Sequence, residues 1–234
     1  MTLTQTITIK KGLLALAVMY ACQLLAGIFV SVVINTDKTM SMEILGLLSA
    51  LIGGSLILLL FWLDTKKNAA LVTESCGLPF NKAISLVLLL LVATHLVAYL
   101  YRSFFLPEIG YIDIQGGGSK VFSYIQENSG IIGMAGFLTL ALCIGPVMEE
   151  VIFRGYLQRS LTTKFPVWIA ISIASLVFMV GHSPVILWPM YFMFSCAWGY
   201  VYMKTGKLSY AVLIHVLNNL FYTFIGFSGI KLLA

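Results

Sequence analysis

Residues Gly145 to Leu161 read GPVMEEVIFRGYLQRSL. Two adjacent acids and an arginine stand here within almost uninterrupted apolar sequence. An ionised group at membrane depth costs at least about 2.5 to 3.5 kcal/mol, so charges kept there usually face a polar interior and serve a function. The other seven of the nine acidic residues fall in loops or at the edges of apolar runs. Glu149 and Glu150 are therefore the two acids set deep inside one.

The chain around them is as apolar as that reading requires. Hydrophobic residues make up 60% and charged residues 10% of the 234, with a mean hydropathy of +0.98. A soluble globule would be about 45 to 50% apolar. The first apolar run, Gly12 to Ile34, follows Lys10 and Lys11 and has about the 20 residues that a bilayer-spanning helix needs. It is longer than a signal-peptide core and lacks a persuasive small-residue cleavage site, so it is expected to remain as a span. Six further runs lie near 44–63, 83–101, 131–158, 166–182, 185–203 and 208–227. The expected fold is all-α, a polytopic membrane bundle of about seven transmembrane helices.

The 14 basic residues are spread among short loops and form no block, which argues for topology rather than nucleic acid as their explanation. Placing the N-terminus in the cytoplasm puts all of them on or toward the inner side except Lys38, Arg102, Lys120 and Lys231. Cys22, Cys76, Cys143 and Cys196 lie in separate segments without CxxC spacing, so neither a zinc ribbon nor a disulfide framework is expected. The longest connection, Arg102 to Gly130, carries Pro107 and the run Gly116 to Gly118 and reads as a surface loop or short interfacial helix. It divides the chain into an N-terminal region, 1–130, and a four-span core, 131–234. The first three spans hold few polar residues, Gln23, Thr94 and His95 among them. His95 reads as a histidine hydrogen-bonded to a neighbouring helix.

In the core, an α-helical fourth span sets Glu150 and Arg154 four residues apart, in the favourable order for an ion pair. Glu149 then lies roughly 140° around the helix from Arg154 and has no intrahelical counterion. A partly desolvated carboxylate without a counterion is suited to act as a general base. His182 closes the fifth span, and His215 shares a face of the seventh with Asn219, four residues on. At about 1.5 Å rise per residue, Glu149, His182, His215 and Asn219 fall in one layer of the membrane. Gly145 and Pro146 are expected to kink the fourth helix just before the acids. Ser183 and Cys143 lack a geometric case as nucleophiles, so a covalent mechanism is not expected.

Three motifs occur in order: EEVIFR fits EExxxR, FMVGH fits FxxxH and HVLNN fits HxxxN. In these the chain resembles the CPBP family, the CAAX-protease or Abi-type intramembrane endopeptidases, over roughly 131–227. The resemblance implies a helical protease cleaving a membrane-associated, prenylated or bacteriocin-like peptide. By it Glu149 and His182 would activate water and His215 and Asn219 would stabilise the oxyanion; Glu150 and Arg154 match its remaining motif positions, and their spacing gives them a supporting role.

Two other functions fit intramembrane Glu and His residues. A proton-coupled transporter is one, although no inverted repeat is evident. A non-catalytic peptide-binding or immunity protein is the other. No cofactor is expected. The alternative is a catalytic zinc held by Glu149, His182 and His215, which would leave only the arginine-paired Glu150 as base, in a sequence without HExxH.

Overall fold

The computed structural model describes residues 7–35, 40–67, 77–106 and 124–228, and every regular element among them is helical. A chain in hydrocarbon must satisfy its backbone polar groups internally, and a helix does so within one segment. Helix α1 (Ile9–Phe29) begins at Thr8, whose Oγ1 accepts from the Lys11 N–H, and runs on through a π-helical turn, Val30–Ile34. Helices α2 (Met42–Lys67) and α3 (Phe80–Phe105) follow. The long fourth helix, α4, occupies Gly130–Leu161. Then come α5 (Val167–Val180), a short turn Val185–Leu187, α6 (Trp188–Thr205) and α7 (Leu208–Ser228).

Each of the seven apolar runs thus corresponds to a helix. Six are long and apolar enough to cross a membrane, and α5, at 14 residues, is a shorter apolar helix. The protein is an integral, multi-pass membrane protein. Pro107, Gly116 to Gly118, Cys76, Lys38, Lys120 and Lys231 lie outside the described residues.

The fourth span departs from the α-helix, kinked at Gly145 and Pro146, that is expected of it. Leu140–Ile144 and Val151–Gln158 are π-helical, separated by the α-helical Gly145–Glu150. The cause of the first interruption is legible at Pro146. Gly145 donates its N–H to Leu140 O, five residues back. The next bond of that series would run from residue 146 to Ala141 O, and proline has no N–H to give. The π register ends there, and proline sits in the first turn of the α-helical piece, where its missing donor costs least.

The C-terminal part of α4 is the centre of the bundle. Ile152, Phe153, Arg154, Gly155, Tyr156, Leu157 and Gln158 are all buried, so no face of this segment reaches lipid. Helix α1 lies along α2 and crosses the lower part of α4, α5 packs on α6 and α4, and α3 packs on α6 and α7. At the crossing of α1 and α4, a Cβ on Gly12 would stand 2.1 Å from Ser160 Oγ, so only glycine lets the backbones approach this closely. Asp64, near the end of α2, accepts from Lys11 Nζ and from the Tyr156 hydroxyl and so joins α1, α2 and α4. Large apolar side chains such as Leu24, Leu25, Leu89 and Val92 face outward, whereas Glu150, Arg154, Gln158, Ser195 and His215 are buried.

Candidate active site

Arg154, 1% exposed, lies beside a fully buried Glu150. The expected pair forms: Arg154 Nη1 donates to Glu150 Oε1 at 3.0 Å. A buried charge also needs its remaining hydrogen-bonding groups satisfied. Arg154 Nη2 meets this by donating to Ser195 O at 2.7 Å and Ser195 Oγ at 2.8 Å. The guanidinium lies 5.5 Å from the centroid of the Phe178 ring and 5.4 Å from that of Trp198. Cations are attracted to aromatic faces at such distances.

His215 joins the same cluster. Its Nδ1 lies 2.8 Å from Glu150 Oε1, and its ring stacks on Trp198 with centroids 3.8 Å apart. Glu150 is already the counterion of Arg154, so it accepts, and Nδ1 of His215 carries the proton. His182 is fixed in the same tautomer by different means. Its Nδ1 is 2.7 Å from Phe178 O, and a carbonyl can only accept. Phe178 also stacks its ring on His182, with centroids 4.1 Å apart. Neutral His182 and neutral His215 therefore both present Nε2 as a lone pair.

Glu149 stands between those two nitrogens. His215 Nε2 is 3.6 Å from Glu149 Oε2, and His182 Nε2 is 4.0 Å from Glu149 Oε1. The separations exceed a direct hydrogen bond, and polar groups this far apart can share a water. Glu149 has no arginine partner within its own helix, as its spacing predicts, and its side chain is 22% exposed.

Asn219 occupies the next turn of α7. Its Nδ2 donates to Ala141 O at 2.9 Å, the carbonyl that Pro146 leaves without an intrahelical donor. Asn219 and Glu149 line a cavity of about 280 Å³. Asn218, the poorer helical neighbour of His215, is buried and donates to Asn219 Oδ1 at 3.3 Å.

The structure thus brings Glu149, Glu150, Arg154, His182 and His215 into one cluster and sets Asn219 at its edge. His95 lies apart, in α3. Its Nδ1 meets Leu91 O of its own helix at 2.7 Å, not a neighbouring helix as expected, and its ring packs against Phe194, Phe221 and Tyr222. Ser195 and Trp198 had no place in the sequence reading. Their signal was a small polar residue and a tryptophan one turn apart in an otherwise unassigned span.

Among the described residues, no three His, Cys, Asp or Glu side chains are grouped so as to hold a metal ion. Three convergent acceptors can instead bind a water that donates to two of them, which raises the nucleophilicity of its oxygen.

Residues 131–221 match the family model described as type II CAAX prenyl endopeptidase, Rce1-like. No curated protein and no solved structure matches the chain.

Proposed function

The chain carries a CAAX-type intramembrane endopeptidase domain of the CPBP family over 131–221, and on that premise we propose that it hydrolyses a peptide bond in a membrane-associated, lipidated peptide by glutamate-assisted attack of water. The observation that carries this reading is the position of Glu149, within water-bridging distance of two imidazole lone pairs.

In this mechanism Glu149 takes a proton from the water as its oxygen attacks the scissile carbonyl, while the His182 lone pair holds the water's second hydrogen. The geometry sets a condition on His215. With Nδ1–H committed to Glu150, it is an oxyanion donor only as an imidazolium protonated from solvent before the substrate binds, a form the Glu150 carboxylate stabilises. Asn219 has one N–H fixed on Ala141 O, which leaves the other for the developing oxyanion. Glu149 returns its proton to the leaving amine.

The reading is metal-independent. Were Glu149, His182 and His215 zinc ligands, Glu150 would be the remaining base, and its Oε1 already accepts from both Arg154 and His215.

The test uses purified protein and a farnesylated CAAX peptide. Glu149→Gln is expected to abolish cleavage without lowering thermal stability, since the side chain makes no direct hydrogen bond among the described residues. Full cleavage by Glu149→Gln would overturn the assignment of the base. Stoichiometric zinc, with activity lost on chelation and restored by zinc, would overturn the metal-free mechanism. A binding or immunity protein would instead retain its function in Glu149→Gln, and a transporter would show Glu149-dependent proton flux in vesicles.

A further inference from the structure

The cavity beside Glu149 is not closed by the matched domain alone. Its walls are Leu140, Ala141, Pro146 and Met148 of α4, with Asn219 of α7, and across from them stand Gln23 of α1 and Ala50 of α2. Gln23 and Ala50 lie outside 131–221. Gln23 brings a carboxamide to a cavity whose other polar side chains are Glu149 and Asn219.

That carboxamide is poorly used within the protein. Its Nε2 donates to Met148 Sδ at 3.7 Å, and thioether sulfur is a weak acceptor. No residue donates to its Oε1 among the described residues. Its position is nonetheless defined by Gly53 of α2, where a Cβ would stand 2.7 Å from Gln23 Oε1. A half-buried amide with two donors and an acceptor, held beside the candidate base, is matched to the backbone of a peptide. A peptide entering this cavity loses water from its own N–H and C=O groups and needs partners for them.

We propose that Gln23 is a substrate-binding residue of the active site, its carboxamide oxygen accepting from the N–H of the substrate peptide group next to the scissile bond. This assigns to α1 a direct part in the reaction and rests on the proteolytic reading above. Gly53 is then a positioning residue, acting through Gln23.

Purified full-length protein and a quenched fluorescent farnesylated CAAX peptide provide the test. Gln23→Leu keeps most of the side-chain volume and removes the amide. It is expected to lower kcat/KM at least tenfold with an unchanged thermal midpoint. Gly53→Ala, which displaces the amide, should lower it in the same direction. A companion peptide with an ester replacing the amide adjacent to the cleavage site separates substrate contact from packing: the wild type should lose rate on it, and Gln23→Leu should lose little more. Binding is read separately by fluorescence anisotropy on Glu149→Gln with and without Gln23→Leu, the added change weakening affinity. If Gln23→Leu stays within twofold of wild type while Glu149→Gln is inactive, the inference fails alone. Equal sensitivity of wild type and Gln23→Leu to the ester also overturns it. Full cleavage by Glu149→Gln overturns the underlying reading instead, and a peptide neither cleaved nor bound overturns both.

Discussion

Glu150 serves both of its partners with one oxygen: Oε1 accepts from Arg154 and from His215, while Oε2 is buried with no hydrogen bond among the described residues. Such a group tolerates no loss of charge. Glu150→Gln leaves Arg154 buried without its counterion, and breaking a buried pair in this way costs roughly 3 to 5 kcal/mol. We expect a lower thermal midpoint and folded yield in detergent, in contrast to Glu149→Gln, and equal melting of the two variants would refute the division of labour between the adjacent acids. At this scale the sequence disclosed much. The spacing of Glu150 and Arg154 predicted their pair, and the common depth of Glu149, His182 and His215 predicted a cluster. It could not disclose that Glu150 also holds His215, 65 positions away, or that Ser195 supplies both of its oxygens to Arg154. Such contacts depend on how α4, α6 and α7 are rotated about their axes, which apolar periodicity does not fix when each helix is apolar nearly all round.

Within α4 the alternation of α and π turns sets what each residue reaches. Pro146 frees the Ala141 carbonyl, and Asn219 takes it. Pro146→Ala restores an N–H at the position from which the π series would continue to Ala141, in competition with Asn219. Turnover should fall by up to the roughly hundredfold that loss of one oxyanion donor costs, while the thermal midpoint holds or rises. An unchanged kcat would show that the anchoring of Asn219 is irrelevant to catalysis. The crossing of α1 and α4 gives a second expectation. Gly12→Ala places its methyl group against Ser160 Oγ and 3.1 Å from Tyr156 O, so it should destabilise the fold by about 1 to 3 kcal/mol, the usual range for overpacking. Ser160→Ala in the same chain should recover part of that loss, because the hydroxyl is the nearest obstruction and the Tyr156 carbonyl remains. Full recovery would locate the whole clash at the hydroxyl. A kink at Gly145 and Pro146 was a reasonable expectation from sequence. The π segments were not read from the sequence, although Pro146 accounts for where the first of them ends.

Across the whole molecule, seven apolar runs announced seven helices because hydrocarbon leaves a spanning chain little other choice. The place of the first three was not legible, since two of their polar residues, Gln23 and Asp64, have their partners on other helices. Asp64 is such a residue, joining α2 to Lys11 of α1 and to Tyr156 of α4. The ion pair is about one-third exposed on either side and contributes little. The hydroxyl bond is the stronger tie: Tyr156→Phe should cost about 1 kcal/mol in thermal or denaturant unfolding, and no loss would mean that the N-terminal helices are held by packing alone. The brevity of α5 has its own consequence. Its 14 residues extend about 21 Å at about 1.5 Å each, against about 30 Å of hydrocarbon, so a bilayer around it must thin or admit headgroups at one end. His182 lies two residues beyond that end. The second reactant of the proposed hydrolysis is water, and a bilayer thinned at that end would bring the solvent boundary to the imidazole without a channel through the bundle. Hydrolysis in vesicles should accordingly slow as the acyl chains lengthen, and a rate indifferent to chain length would place the water route elsewhere.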